Sequence, residues 1–181
     1  MNKLALALVS SALALSIPLT PAMATIETEE AKSEAFEAAE QARADMVDVF
    51  GDKQLKPGQY VWRDNVTQGA PRVVISLSDQ LAYLYRGEDL AAVTTISTGT
   101  DKNPTPTGIF PILAKKTLHF SKKYDNAPMP HMQMLDSYGI ALHAGFNPGS
   151  PASHGCIRLP AKFAAKLYGV TQIGSTVLIG A

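Results

Sequence analysis

At Pro71 the hydrophobic period of the chain changes from helical to alternating, and this change limits the available folds more than any other feature. Downstream, Val73, Ile75 and Leu77 fall on one face of a strand and Val74 and Ser76 on the other. Ser78-Asp79-Gln80 is turn chemistry, and Leu81 to Tyr85 returns as the partner strand of a hairpin. Further strands are expected at Ala91 to Ser97, Gly108 to Leu113, Gly139 to His143 and Thr176 to Ile179. They are short, β-branched and separated by Gly, Pro, Asn and Asp, the pattern of an all-β sandwich or barrel rather than a βαβ array. One helix interrupts them: Pro160 suits its first turn, Phe163, Ala164, Leu167 and Tyr168 form an apolar face, and Gly169 follows the last turn. No internal repeat, low-complexity tract, GxGxxG or P-loop pattern is present.

Before Pro71 the organisation differs. Residues 1–24 read as a signal peptide: Asn2 and Lys3 give a short basic start, Leu4 to Ile17 an apolar run, and Ala22-Met23-Ala24 a small-x-small cleavage site. A membrane anchor is the rival reading, but Ser10, Ser11, Ser16 and Pro18 interrupt a run already shorter than the roughly 20 residues a span needs. The expectation is an exported protein of the periplasm, without a stable membrane span. From Thr25 to Phe50, Phe36, Ala39, Met46, Val47 and Phe50 fall near helical spacing, so one amphipathic helix is expected, ended by Gly51. Lys53 to Gly69 reads as a connecting segment with one extended stretch at Tyr60-Val61-Trp62. The expected units are therefore the leader at 1–24, helix and connection at 25–69, and a main domain at 70–181. The full 181 residues leave room for one domain of ordinary size after export, not two large ones.

Lysine plus arginine equals aspartate plus glutamate at 16 each, which argues against a nucleic-acid partner held by bulk charge. The single cysteine, Cys156, excludes an internal disulfide, a Cys-rich zinc site and a CxxC redox pair together. In an oxidising compartment a lone thiol needs a reason to be kept.

The stretch Ile140 to Pro160, IALHAGFNPGSPASHGCIRLP, supplies one. His143 ends an expected strand, a loop with Gly145, Pro148, Gly149 and Pro151 follows, and Ser153-His154-Gly155-Cys156-Ile157-Arg158 leads into the helix. A thiol is a useful nucleophile as thiolate, and a reference pKa near 8.5 leaves only a small fraction ionised at neutral pH. It needs a base or a positive field beside it, and two histidines and an arginine are at hand. The loop between His143 and Cys156 is long enough to fold back and let the two meet at one edge of the sheet.

These residues resemble the catalytic motif of the L,D-transpeptidases, the YkuD-type domain: a histidine on a strand, then Ser/Thr-His-Gly-Cys. His143-Ala144-Gly145 with Pro151-Ala152-Ser153-His154-Gly155-Cys156 is similar to a subgroup common in Gram-negative bacteria. Agreement extends to Ser97-Thr98-Gly99, Thr105-Pro106-Thr107-Gly108 and Ala127-Pro128-Met129-Pro130, and covers about residues 70–180. The spacing of 13 from His143 to Cys156 is shorter than in many members, so the intervening loop is trimmed. The resemblance implies a YkuD-like β-sandwich that acts on peptidoglycan stem peptides, with no cofactor or metal, as a monomer. It also implies that Cys156 attacks the carbonyl before the terminal D-alanine of a stem tetrapeptide, with His143 as its base and a backbone carbonyl orienting that histidine. Gly155 and Cys156 are expected to offer N–H groups to the oxyanion, with Ser153 orienting the turn. His154 and Arg158 are expected to shape an electropositive, substrate-binding pocket.

Other readings compete residue by residue. Cys156 taken alone suits a buried apolar position or an intermolecular disulfide. His154 suits a turn-stabilising histidine as well as a binding one. Zinc held by His143, His154 and Cys156 is disfavoured by their spacing. His119 and His131 are expected at the surface, and Met129, Met132 and Met134 as adaptable packing or a flap over the site. At the level of activity, water could replace the acceptor amine, giving a carboxypeptidase or an amidase that releases a wall-linked protein, or the domain could bind the wall without catalysis.

Overall fold

The structure, a computed structural model, describes residues 27–181; the expected leader, with its cleavage site at Ala24, lies outside the described residues. Thr28 begins the first helix by accepting the Ala31 N–H at 3.2 Å, and Glu29 and Glu30 complement the positive end of the helix dipole. This helix, α1 (Glu29–Phe50), stops at Gly51, whose φ of +77° suits glycine. The remaining elements are β1 (Tyr60–Trp62), β2 (Pro71–Ser76), β3 (Leu81–Arg86), β4 (Asp89–Thr95), β5 (Gly108–Pro111), β6 (Ala114–Phe120), β7 (Pro128–Met134), β8 (Ala141–Ala144), β9 (Ile157–Leu159), α2 (Ala161–Val170) and β10 (Thr176–Gly180). They form a six-stranded sheet in the order β1-β4-β3-β2-β10-β5 and a four-stranded sheet in the order β6-β7-β8-β9. The expected mainly β sandwich, with one helix after Cys156 and one before the strands, is the architecture observed.

The main core lies between the sheets. Val73, Ile75, Leu84, Val177 and Ile179 of the larger sheet pack with Leu142, Ile157 and Leu159 of the smaller one and with Phe163 and Leu167 of α2. The alternation read in β2 therefore aims Val73 and Ile75 at the sandwich interior. Val74, on the opposite face, is buried too, because α1 covers it together with Tyr83, Val93 and Leu178. The helix packs with a stripe of four alanines, Ala31, Ala35, Ala39 and Ala42, ending in Met46, and leaves Phe36 48% and Val47 41% exposed. Of the positions expected to face the core, Ala39 and Met46 lie on this stripe and Phe50 packs beside it, whereas Phe36 and Val47 face away. Small side chains let the helix backbone lie on the sheet so closely that a Cβ on Gly180 would sit 2.5 Å from the Ala35 carbonyl oxygen.

Two further expectations need correction. Gly169 lies inside α2, which runs on to Val170, and Pro160 is its N-cap rather than a first-turn residue. No strand is expected at Ala114 to Phe120 or Pro128 to Met134, yet they form the long β6–β7 hairpin. Consequently His119 lies on a strand and lines a cleft, while His131 lies on a strand against Tyr168, with its Nδ1 buried.

The hairpin carries a twist that matters for the site. Lys115 reaches the Tyr168 and Thr171 carbonyls at the end of α2, whereas His119, four residues on along the same strand, faces the cleft. Regular alternation would put both on one face. The pairing passes from Lys116↔Met132 to Leu118↔Pro130, and between them His131 adopts φ +55°. The register stays constant, so it is the positive φ of His131 that breaks the pleat, and beyond it Met129 and His119 line the cleft.

Candidate active site

β8 and β9 run parallel, with Leu142 beside Ile157 and His143 beside Arg158. Side chains alternate across a sheet, so Leu142 and Ile157 enter the core while His143 and Arg158 share the opposite face. Cys156, two residues before Arg158, falls on that same face. All three line a cleft of about 920 Å³ together with His154 and the tip of the β6–β7 hairpin. The Met129, Met132 and Ala141 side chains pack as a buried apolar group against Cys156, so these methionines form a wall of the cleft.

The turn that carries the thiol is held on several sides. Ser97 pairs with Arg158, and Gly99 pairs with Ser153, so the Ser97-Thr98-Gly99 segment runs along the motif as a further strand-like edge. Thr98 is fixed by buried Gln80, which donates from Nε2 to Thr98 Oγ1 at 2.7 Å and accepts the Thr98 N–H at 3.1 Å. Thr105 Oγ1 accepts the Gly99 N–H and donates to the Gly155 carbonyl at 2.8 Å. These contacts give the upstream Ser-Thr-Gly and Thr-Pro-Thr-Gly segments their place: they buttress the turn that carries Cys156.

Ser153 is buried and orients that turn, its hydroxyl donating to the Cys156 carbonyl and accepting the Gly155 N–H at 3.1 Å. This corrects one expectation, because a Gly155 N–H directed at Ser153 is not turned toward an oxyanion. Gly155 serves instead through its backbone: φ is +111°, and an added Cβ would meet Ile140 Cδ1 at 2.7 Å. His154 is exposed and stacks on Tyr124 of the hairpin tip, with ring centroids 4.3 Å apart and an interplanar angle of 22°. Arg158 lies across Gly145, where a Cβ would press to 3.0 Å on its Cγ.

His143 is buried, and its Nδ1 lies 2.8 Å from the Ala144 carbonyl oxygen. That contact fixes Nδ1 as the donor in the neutral ring and leaves Nε2 as the free base. Burial holds His143 below the usual imidazole range; the Ala144 contact opposes this and the Arg158 charge reinforces it. Burial pushes the Cys156 thiol up, a hydrogen bond with the Ala141 backbone pulls it down, the Asp136 charge raises it and the Arg158 charge lowers it. The thiol donates to the Gly139 carbonyl at 3.5 Å. At neutral pH the resting pair is therefore a neutral imidazole and a neutral thiol in one cleft.

Sequence reasoning missed three contributors. Asp136 is buried, and its Oδ1 accepts the Tyr138 and Ile140 N–H groups, closing the turn that carries Gly139. Tyr124 and Gly139 reach the site from other elements. Asp136-Ser137 before an apolar strand is an Asx-turn signal that was available, but nothing local in sequence ties Tyr124 to His154.

Residues 70–179 match the model of YkuD, the L,D-transpeptidase catalytic domain. No curated protein matches the chain. Among solved structures, an L,D-transpeptidase from Mycobacterium smegmatis is similar at TM-score 0.58 and 20% identity, covering 61% of this chain and 58% of its own. L,D-transpeptidase 3 from Mycobacterium tuberculosis, in complex with a faropenem-derived adduct, is similar at TM-score 0.57 and 20% identity, covering 62% and 60%. An L,D-transpeptidase of Enterococcus faecium is similar at TM-score 0.54 and 22% identity, covering 62% and 50%. The chain thus spans less than two thirds of the length of each, and at these identities the likeness is one of fold. With a family model matched over most of the chain and the same sandwich fold, this chain belongs to the L,D-transpeptidase catalytic domain family.

Proposed function

We propose that this protein is a cysteine-dependent peptidoglycan L,D-transpeptidase working through a Cys156 thioester. The observation that carries the reading is that β8 and β9 bring His143 and Cys156 to one face, inside one cleft, although 13 positions separate them in sequence. His143 takes the thiol proton on Nε2, and the thiolate attacks the carbonyl joining the third residue of a stem tetrapeptide to its terminal D-alanine. A tetrahedral oxyanion forms, and the backbone N–H of Cys156 is the donor left to meet it once Gly155 is engaged with Ser153. The C–N bond breaks, the D-alanine amine leaves with the proton held by His143, and a thioester remains. The side-chain amine of a neighbouring stem then gives its proton to His143, attacks the thioester and releases Cys156, completing a cross-link.

Arg158 and exposed His154 give the cleft its donors for stem carboxylates. The export and periplasmic location expected from residues 1–24 belong to the same reading.

Disaccharide tetrapeptide incubated with the enzyme tests the proposal through its products. A dimer with loss of D-alanine is expected by mass spectrometry; tripeptide alone would assign water as the acceptor, and unchanged substrate would overturn the reading. A related L,D-transpeptidase has been solved in complex with imipenem. Imipenem is accordingly expected to add covalently to this wild-type protein and not to Cys156→Ala.

A further inference from the structure

The turn joining β7 to β8 has a role that the motif does not announce. It runs from Leu135, whose N–H donates to the Ile140 carbonyl at 2.8 Å, and is cross-tied by Asp136 Oδ1, which accepts the Tyr138 N–H at 3.0 Å and the Ile140 N–H at 2.8 Å. Asp136 is only 6% exposed, so a buried carboxylate organises this turn. Two features bring the turn onto the nucleophile. The Gly139 carbonyl receives the Cys156 thiol at 3.5 Å, and the Ile140 side chain occupies the space where a Gly155 Cβ would lie. The next residue, Ala141, offers its backbone to the same sulfur.

From this arrangement we infer that Asp136 is a positioning residue for Cys156: tied to the Tyr138 and Ile140 N–H groups, it fixes the Gly139 and Ala141 backbone around the sulfur. The inference rests on Cys156 being the nucleophile. The turn presents an acceptor for S–H at Gly139 and a donor for S⁻ at Ala141, so a small movement of the sulfur exchanges one for the other. Other charged or titratable groups face the thiol. His143 on β8, Arg158 on β9 and His154 in the preceding turn flank it, Tyr138 lines the cleft from the β7–β8 turn, and His119, Lys122, Lys123, Tyr124 and Asp125 line its far side from the β6–β7 hairpin. Among these Arg158 favours the thiolate and Asp136 opposes it. A thiol held neutral is also slow to oxidise, which suits a lone cysteine in an oxidising compartment.

The test is the pH dependence of iodoacetamide labelling, which reports on Cys156 alone because the chain has a single cysteine. Asp136→Asn keeps an oxygen for both N–H groups and removes the charge. Its labelling midpoint is expected to move to lower pH by on the order of half a unit or more, with several-fold faster labelling at neutral pH. Asp136→Ala also loses the cross-ties, and kcat for D-alanine release is expected to fall about tenfold or more, with KM changed less. A superimposable labelling profile for Asp136→Asn, or wild-type kcat for a folded Asp136→Ala, would overturn the inference. Should Asp136→Ala not fold, the Asp136→Asn profile decides. Labelling needs no substrate, so a shifted profile in a protein inactive on tetrapeptides would count against the proposed function and not against the role of Asp136.

Discussion

Gly155 joins conformation to chemistry at a single residue. Its φ of +111° is closed to L side chains, and Ile140 fills the space where a methyl group would go. Gly155→Ala is expected to introduce about 1–3 kcal/mol of strain and to displace the thiol. The measurement is D-alanine release beside thermal unfolding: kcat/KM should fall at least tenfold, with a lowered Tm. His143 yields a second expectation at this scale. Its folded pKa lies below the ordinary 6.5, so beneath that value the unfolded chain binds a proton that the native state refuses. Stability is therefore lost as pH falls from 6.5 toward the folded pKa, and His143→Gln should flatten that part of the Tm-against-pH curve. An unchanged curve would show that the imidazole is not buried as described. The residues behind both expectations were legible in sequence, since SHGC and the upstream histidine pick out Cys156, Gly155 and His143. What could not be read was direction: that Ser153 draws in the Gly155 N–H, and that His154 turns outward to Tyr124.

Among the elements, α1 and the β6–β7 hairpin mark the limit of periodicity. The alternation of β2, β3 and β10 identifies strands because one face of each meets the sandwich core. It does not disclose that α1 buries the other face, and in the helix itself periodicity picks out Ala39 and Met46 of the contact stripe but not Ala31, Ala35 and Ala42, whose small side chains give no apolar signal beside Phe36 and Val47. Close approach of α1 to β10 makes Gly180→Ala an informative variant. The added methyl meets the Ala35 carbonyl at 2.5 Å, so destabilisation of about 1–3 kcal/mol is expected while KM stays unchanged. Denaturant unfolding with steady-state kinetics checks both halves, and a wild-type midpoint would contradict the packing. The hairpin escapes a periodicity reading for another reason. Pro128 and Pro130 demote β7, whose alternation the positive φ of His131 also interrupts, and the lysines of β6 hide its own alternation. Pairing between the two strands, not the propensity of either, makes them a hairpin.

Across the whole molecule, balanced charge conceals a division of labour. The chain carries 16 basic and 16 acidic residues, yet its cleft is lined by Lys122, Lys123 and Arg158 against the single carboxylate of Asp125, while acidic side chains crowd α1 on the far face of the larger sheet. Attraction for the acidic stem peptide of the proposed reaction would thus be local to the cleft. The kcat/KM for tetrapeptide stems is expected to fall severalfold between low and physiological ionic strength, with the change mainly in KM; a flat salt dependence would remove the lysines from recognition. The proposed chemistry stands on one covalent bond. Intact-protein mass spectrometry of wild type and Cys156→Ala, quenched in acid during turnover of disaccharide tetrapeptide, looks for it directly. The predicted result is a wild-type adduct equal in mass to the donor less D-alanine, located on Cys156 and missing from Cys156→Ala. Turnover by Cys156→Ala at the wild-type rate, or release of D-alanine by wild type with no adduct at any time point, would contradict it.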